Sequence, residues 1–150
     1  VAEYEGASEG KSALFGGLQN PYLESSKWGW TIDPIGMRYL LNYTYRKYGL
    51  PIMITENGLG AVDEIAEDGH VHDAYRIDYL HRHVEQLLLS VEEDQVFFIC
   101  HITWARSRFV YVDKQDDGTG SYMRKKKDSF EWYRQVINSN GESIKRENHE

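Results

Sequence analysis

Pro51-Ile52-Met53-Ile54-Thr55-Glu56-Asn57-Gly58 is the stretch whose reading decides the fold. Ile52, Met53 and Ile54 make an apolar run of strand length, introduced by Pro51 and closed by the turn pair Asn57-Gly58. Glu56 then stands at the carboxyl end of a strand, where parallel α/β folds place their chemistry. A glutamate in that place either carries chemistry or simply faces solvent, and spacing alone leaves both open.

The flanks make the strand part of an alternating pattern. Upstream, Asp33 suits a helix N-cap and Pro34 the first helical position. Met37, Leu40, Leu41, Thr44 and Tyr48 follow at helical spacing, and Gly49 is a stop signal. Downstream, residues 59–72 read as a loop with a turn at Glu67-Asp68-Gly69. A second helix is expected from Asp73 to Glu93, with Ile77, Leu80, Val84, Leu87, Leu88 and Val91 as its apolar stripe. Residues 96–104, Val-Phe-Phe-Ile-Cys-His-Ile-Thr-Trp, are apolar and β-prone and read as a second core strand ending on Trp104.

Beyond it the pattern becomes a hairpin. Residues 109–113 alternate, Asp116-Asp117-Gly118-Thr119-Gly120 is a turn signal, and residues 121–126 return. A last helix is expected over 129–138, carrying Phe130, Tyr133, Val136 and Ile137, with a charged, frayed tail over 142–150. Residues 1–32, with Gly6, Gly10, Gly16 and Gly17, show neither strand nor helix period and read as loop. Residues 33–141 then hold βα units. Helices alternating with strands imply parallel pairing. Two such strands cannot close a barrel, which needs roughly 250 residues when eight-stranded.

Composition bounds the class of function. With 150 residues the chain is one domain, and 41% hydrophobic and 27% charged residues are globular proportions. No apolar run approaches the ~18 residues of a membrane span, and no secretory signal opens the chain. Val1 in place of Met suggests a fragment or a processed product. A net charge of -7 argues against nucleic acid as partner. The basic run Arg124-Lys125-Lys126-Lys127 reads as a solvated strand end. Cys100 is the only cysteine, which excludes a disulfide framework and fits a cytoplasmic location. Four Trp, 11 Tyr and 5 Phe suit both a core and a carbohydrate surface, because sugar C–H faces pack on aromatic rings.

At Thr55-Glu56-Asn57-Gly58 the chain resembles the C-terminal part of family 1 glycoside hydrolases, and among them bacterial 6-phospho-β-glucosidases. The similar residues run in order along nearly the whole chain: Asn20-Pro21-Tyr22-Leu23, Trp28-Gly29-Trp30-Thr31-Ile32-Asp33-Pro34, Asn57-Gly58-Leu59-Gly60-Ala61 and Tyr75-Arg76-Ile77-Asp78-Tyr79-Leu80. They continue with Tyr111-Val112-Asp113, Lys126-Lys127-Asp128-Ser129-Phe130 and Ser139-Asn140-Gly141-Glu142. The resemblance implies strands 7 and 8 of a (β/α)8 TIM barrel with flanking helices and a β-hairpin, as an incomplete barrel. It also implies retaining hydrolysis of a β-glucoside or 6-phospho-β-glucoside with no cofactor and no metal. Glu56 would be the nucleophile. Trp104 would pack against the sugar in the glycone subsite, its alternative being a core aromatic at a strand end.

Three departures accompany the resemblance. The general acid of the family lies in an Asn-Glu-Pro motif, and no Asn-Glu pair occurs in this chain. Trp104-Ala105-Arg106-Ser107-Arg108 runs almost directly into Phe109, where relatives insert a loop with Ser, Lys and Tyr that hold a 6-phosphate. Arg106, Ser107 and Arg108 offer phosphate-compatible chemistry but read as surface residues. Cys100 and His101 stand where the family has Gly-Tyr, and His101 is expected to disturb a packed barrel interior.

The remaining candidates are weak. His70 and His72, or His81 with Glu85, lack a third ligand at metal spacing. Gly58-Leu59-Gly60 lacks the further glycine of a dinucleotide loop. Cys100 lies in an apolar strand that would raise its pKa. Two functional expectations stand: a nucleophile-bearing part of a glycosidase, or an inactive remnant that self-associates through exposed barrel edges.

Overall fold

The computed structural model describes residues 20–101, 109–114 and 117–147. The first helix, α1 (Pro34–Tyr48), starts where Asp33 accepts a 2.8 Å hydrogen bond from the Gly36 amide. A Cβ on Gly36 would lie 2.3 Å from the Asp33 carboxylate, so the cap requires glycine there. The helix ends at Gly49, whose left-handed φ of 62° lets its amide bond the Tyr45 carbonyl. Strand β1 (Ile52–Ile54), helix α2 (Ala74–Glu92) and strand β2 (Phe98–His101) follow, and β1 pairs with β2 in parallel. Strands β3 (Val110–Val112) and β4 (Arg124–Lys126) form the expected antiparallel hairpin. Helices α3 (Asp128–Asn138) and α4 (Glu142–Glu147) complete the described chain. Among the described residues the strands form two two-stranded sheets and no closed barrel.

Burial sorts the strand residues by parity. Ile52, Ile54 and Phe98 pack with Met37 and Tyr45 against buried Leu41, Leu87 and Val96. Met53 and Ile99, between them, are exposed. The sheet is thus covered on one face by α1 and α2. On α1 the buried line is Met37, Leu41 and Tyr45, whereas Leu40 and Tyr48, expected on that face, are exposed. Spacing of four keeps the first three over one stripe; Leu40 and Tyr48 fall to its side. Arg38 fastens α1 to the end of α2 with 2.6 Å and 2.8 Å bonds to Asp94 and one of 2.8 Å to Glu93. Those bonds, with a further one from Asn42, hold the Asp94 carboxyl at about 2.

Two expectations about the C-terminal third change. Residues 142–147 do not fray: α4 forms, and Ile144 is buried with Val84 and Val136, while residues 148–150 lie outside the described residues. The basic run is not wholly solvated either. Lys127 is 3% exposed and its ammonium pairs with Asp63. Lys125 donates to the Gly69 carbonyl at 2.6 Å, and Lys126 lies 4.4 Å from the Phe130 ring centre. Charge pattern alone does not reveal these, because Asp63 and Gly69 reach the run from over fifty residues away.

Candidate functional site

The site begins where β1 ends. Glu56 stands two residues beyond the strand with its side chain exposed, and among the described residues no hydrogen bond or ion pair occupies its carboxylate. Asn57, next in sequence, is buried. A buried amide needs partners, and Asn57 has them on both atoms. Tyr79 Oη donates to its Oδ1 at 2.8 Å, and its Nδ2 lies 3.1 Å from His101 Nε2. His101 Nδ1 in turn lies 3.0 Å from Tyr133 Oη. One line of contacts therefore joins α2, the end of β1, the end of β2 and α3.

His101 does not project into a barrel interior. Its ring turns to the helix layer, towards Tyr133 of α3, which corrects the expectation of a local disturbance there. Burial, with a smaller contribution from nearby His83, pulls its pKa down to about 4, so the imidazole is neutral at pH 7. Burial pushes the Tyr79 phenol up to about 12, which keeps its proton available for Asn57. His83 bonds the Tyr79 carbonyl at 2.7 Å, and its ring lies tilted against the Tyr79 ring with centroids 4.0 Å apart.

A second network fixes the loop that follows Asn57. Arg76 is 1% exposed; its guanidinium donates to the Leu59 carbonyl at 3.1 Å, to Asp73 at 2.8 Å and to Asp63 at 3.1 Å. Lys127 and the Tyr75 hydroxyl bond the same Asp63 carboxylate. Burial alone would raise the Asp63 pKa. The bonds from Lys127 and Tyr75 and the Arg76 charge outweigh it and hold the carboxyl below its ordinary value. Asp73, fully buried, makes no cap bond to its own helix and instead accepts from the Ser129 amide at 2.9 Å and hydroxyl at 2.6 Å. It thereby caps α3, whose own N-cap residue Lys127 makes no side-chain cap bond. Two cations and two carboxylates balance in this cluster, as burial demands.

Gly60 has a packing reason rather than a nucleotide-binding one: a Cβ there would come within 2.2 Å of the Trp28 ring. The Trp28 and Trp30 rings meet edge to face at 5.7 Å beside this loop. Of the histidine candidates, His72 bonds Asp128 at 2.6 Å and Asp68 at 3.0 Å, which occupies both ring nitrogens and raises its pKa. Among the described residues no three His, Cys, Asp or Glu side chains gather as metal ligands. No helix there is long and apolar enough to cross a membrane. Trp104, Arg106, Ser107 and Arg108 lie outside the described residues. Of the two site residues the resemblance implies, Glu56 and Trp104, Glu56 is the one that lies among the described residues. Tyr79, His101 and Tyr133 escaped that reading as site residues, since each sits on an ordinary apolar face of its element.

A parallel β-α-β pair with an exposed carboxylate past its first strand is the arrangement the described residues present. The Glycosyl hydrolase family 1 profile matches residues 2–142, and the chain belongs to that family. Aryl-phospho-beta-D-glucosidase BglA of Bacillus subtilis is 47% identical over 142 residues, covering 85% of this chain and 30% of that protein. The 6-phospho-beta-glucosidase of Clostridium longisporum is 43% identical over 164 residues, covering 97% of this chain and 34% of that protein. In structure, the family 1 β-glucosidase from Thermotoga maritima superposes with a TM-score of 0.74 at 30% identity, covering 83% of this chain and 31% of that one. The chain thus spans about a third of the length of the relatives it matches.

Proposed function

We propose that this chain supplies the nucleophile-bearing part of a retaining glycosidase that acts on 6-phospho-β-glucosides or β-glucosides. Glu56 is its nucleophile, and β1 and β2 serve as barrel strands 7 and 8. The observation that carries the reading is Glu56 itself: exposed just past a parallel strand and without a partner among the described residues, with the next residue locked into the fold. The phospho-glucosidase names of the similar proteins support the substrate class.

In the retaining route a carboxylate attacks the anomeric carbon while a second carboxyl, about 5–5.5 Å away, protonates the departing oxygen. Water then releases the sugar from the glycosyl-enzyme ester. The resemblance assigns the second group to an Asn-Glu-Pro motif that this sequence does not contain. Turnover therefore requires the upstream part of a barrel, on a longer parent or a separate polypeptide. Trp104 is proposed to line the glycone subsite.

The test is complementation. The 150-residue chain is co-expressed with the part of Bacillus subtilis BglA that precedes the matched region, and release of an aryl alcohol from its 6-phospho-β-glucoside and β-glucoside is measured. The chain alone is expected to release none, the assembly to turn over, and Glu56→Gln to lower kcat by roughly 10³-fold or more. Turnover that survives Glu56→Gln would sink the assignment. One observation favours a second reading, an inactive remnant: only four residues separate Trp104 from Phe109, which leaves out the phosphate-holding loop of the family. A folded assembly without turnover on either substrate would support it.

A further inference from the structure

We propose that His101 is a positioning residue for Glu56: as a neutral imidazole protonated at Nδ1, it receives the Asn57 amide and fixes the strand-end turn that presents the carboxylate. The proposal rests on the reading of Glu56 as nucleophile, and its geometry fixes the direction of every proton. Tyr79 gives its hydroxyl proton to Asn57 Oδ1, which orients the Asn57 amide. Nδ2 then points at His101 Nε2 as a donor, so that nitrogen must carry a lone pair. In a neutral ring the proton is left on Nδ1, from where it is donated to Tyr133 Oη. Each link of the line has one role, and the line ties two helices to the ends of two strands.

The consequence for Glu56 is mechanical. Its own side chain is exposed and makes no bond to the fold among the described residues. Its backbone is held from both sides, by β1 before it and by Asn57 after it. If Nε2 gains a proton, the Asn57 amide faces a donor and must turn away, which frees the turn. Among the described residues the titratable groups near His101 are His83 on α2 and Tyr133 on α3, with Tyr79 one link away through Asn57; its hydrogen-bond partners there are an amide and a phenol, with no carboxylate. Among the described residues nothing stabilises an imidazolium, in keeping with its depressed pKa of about 4.

The test is nitrogen NMR on the full, uniformly ¹⁵N-labelled chain. Two-bond ¹H–¹⁵N spectra of the imidazoles are expected to show His101 protonated at Nδ1 and bare at Nε2, and neutral from pH 8 down to about 4. The Glu56 backbone amide is expected to move with the same midpoint. His101→Gln, which keeps an acceptor for Asn57 and a donor for Tyr133, is expected to leave the Glu56 amide in place and abolish its response to pH; His101→Ala is expected to displace it. The opposite tautomer, a Glu56 amide indifferent to the His101 titration, or a chain without dispersed amide signals would each overturn the proposal. None of these readouts uses turnover. The network can therefore fail with Glu56 still the nucleophile, and Glu56 can fail in the complementation assay with the network intact.

Discussion

His101 carries a consequence for stability as well as for position. Unfolded, an imidazole takes up its proton near 6.5; in the fold, burial delays this to about 4. Between those values the unfolded chain binds a proton that the folded chain does not, so stability falls as pH falls from 6.5. At about 1.4 kcal/mol per pH unit, wild type should lose roughly 2 kcal/mol relative to His101→Gln between pH 7 and pH 5. Urea denaturation of both proteins at the two pH values measures it, and parallel curves would refute it. Asp63 adds to the acid loss, since its lowered pKa gives stability that is present above the ordinary carboxylate range and disappears as pH falls through the folded value. His72 acts in the other sense: its raised pKa contributes below 6.5 and is lost as pH rises through the folded value. The sequence showed His101 only as an oddity beside Cys100. Its partners lie 44 and 32 residues away in the chain, and periodicity carries no information about which residues meet across elements.

The helices and strands were legible wherever the signal is local. Asp33, Pro34 and Gly49 bound α1 as read, because a cap is satisfied within a few residues. The parallel pair β1 and β2 follows from their alternation with helices. β1 (Ile52–Ile54) is the apolar run that suggested it, but the start of β2 was not legible: it begins at Phe98, two residues inside its run. Hydrophobic runs report burial, whereas a ladder needs a partner. The same limit hid the cluster around Arg76, which ties the loop after Glu56 to the starts of α2 and α3. That cluster makes a strong prediction. Arg76→Met leaves Asp73 buried without its guanidinium partner and Asp63 with less compensating charge, and should cost about 3–5 kcal/mol. Arg76→Lys should recover little, because a point charge cannot serve the Leu59 carbonyl and two carboxylates at once. Chemical denaturation distinguishes this from a surface pair, where the loss would stay below about 1 kcal/mol.

The two-stranded parallel sheet also leaves a surface that a complete barrel would cover. Phe97 is 59%, Ile99 63% and Met53 49% exposed, and α1 presents Ile35, Tyr39, Leu40 and Tyr43 outward. Parity explains the sheet residues: they alternate with Ile52, Ile54 and Phe98, which already face the helices. Apolar area of this kind seeks cover, and each large side chain fully buried is worth about 1.5–3 kcal/mol. Two covers compete, a second copy of the chain and the upstream part of a barrel. Self-association is therefore proposed for the chain alone, with light scattering expected to give a mass above 17.5 kDa at micromolar concentration. Met53→Lys with Ile99→Lys should raise the dissociation constant at least tenfold, since about 1.4 kcal/mol suffices for that factor. The same pair of lysines should also block complementation by the upstream part of a relative, because one face serves both unions. A double variant that stays associated as tightly as wild type, yet still complements, would place both contacts elsewhere.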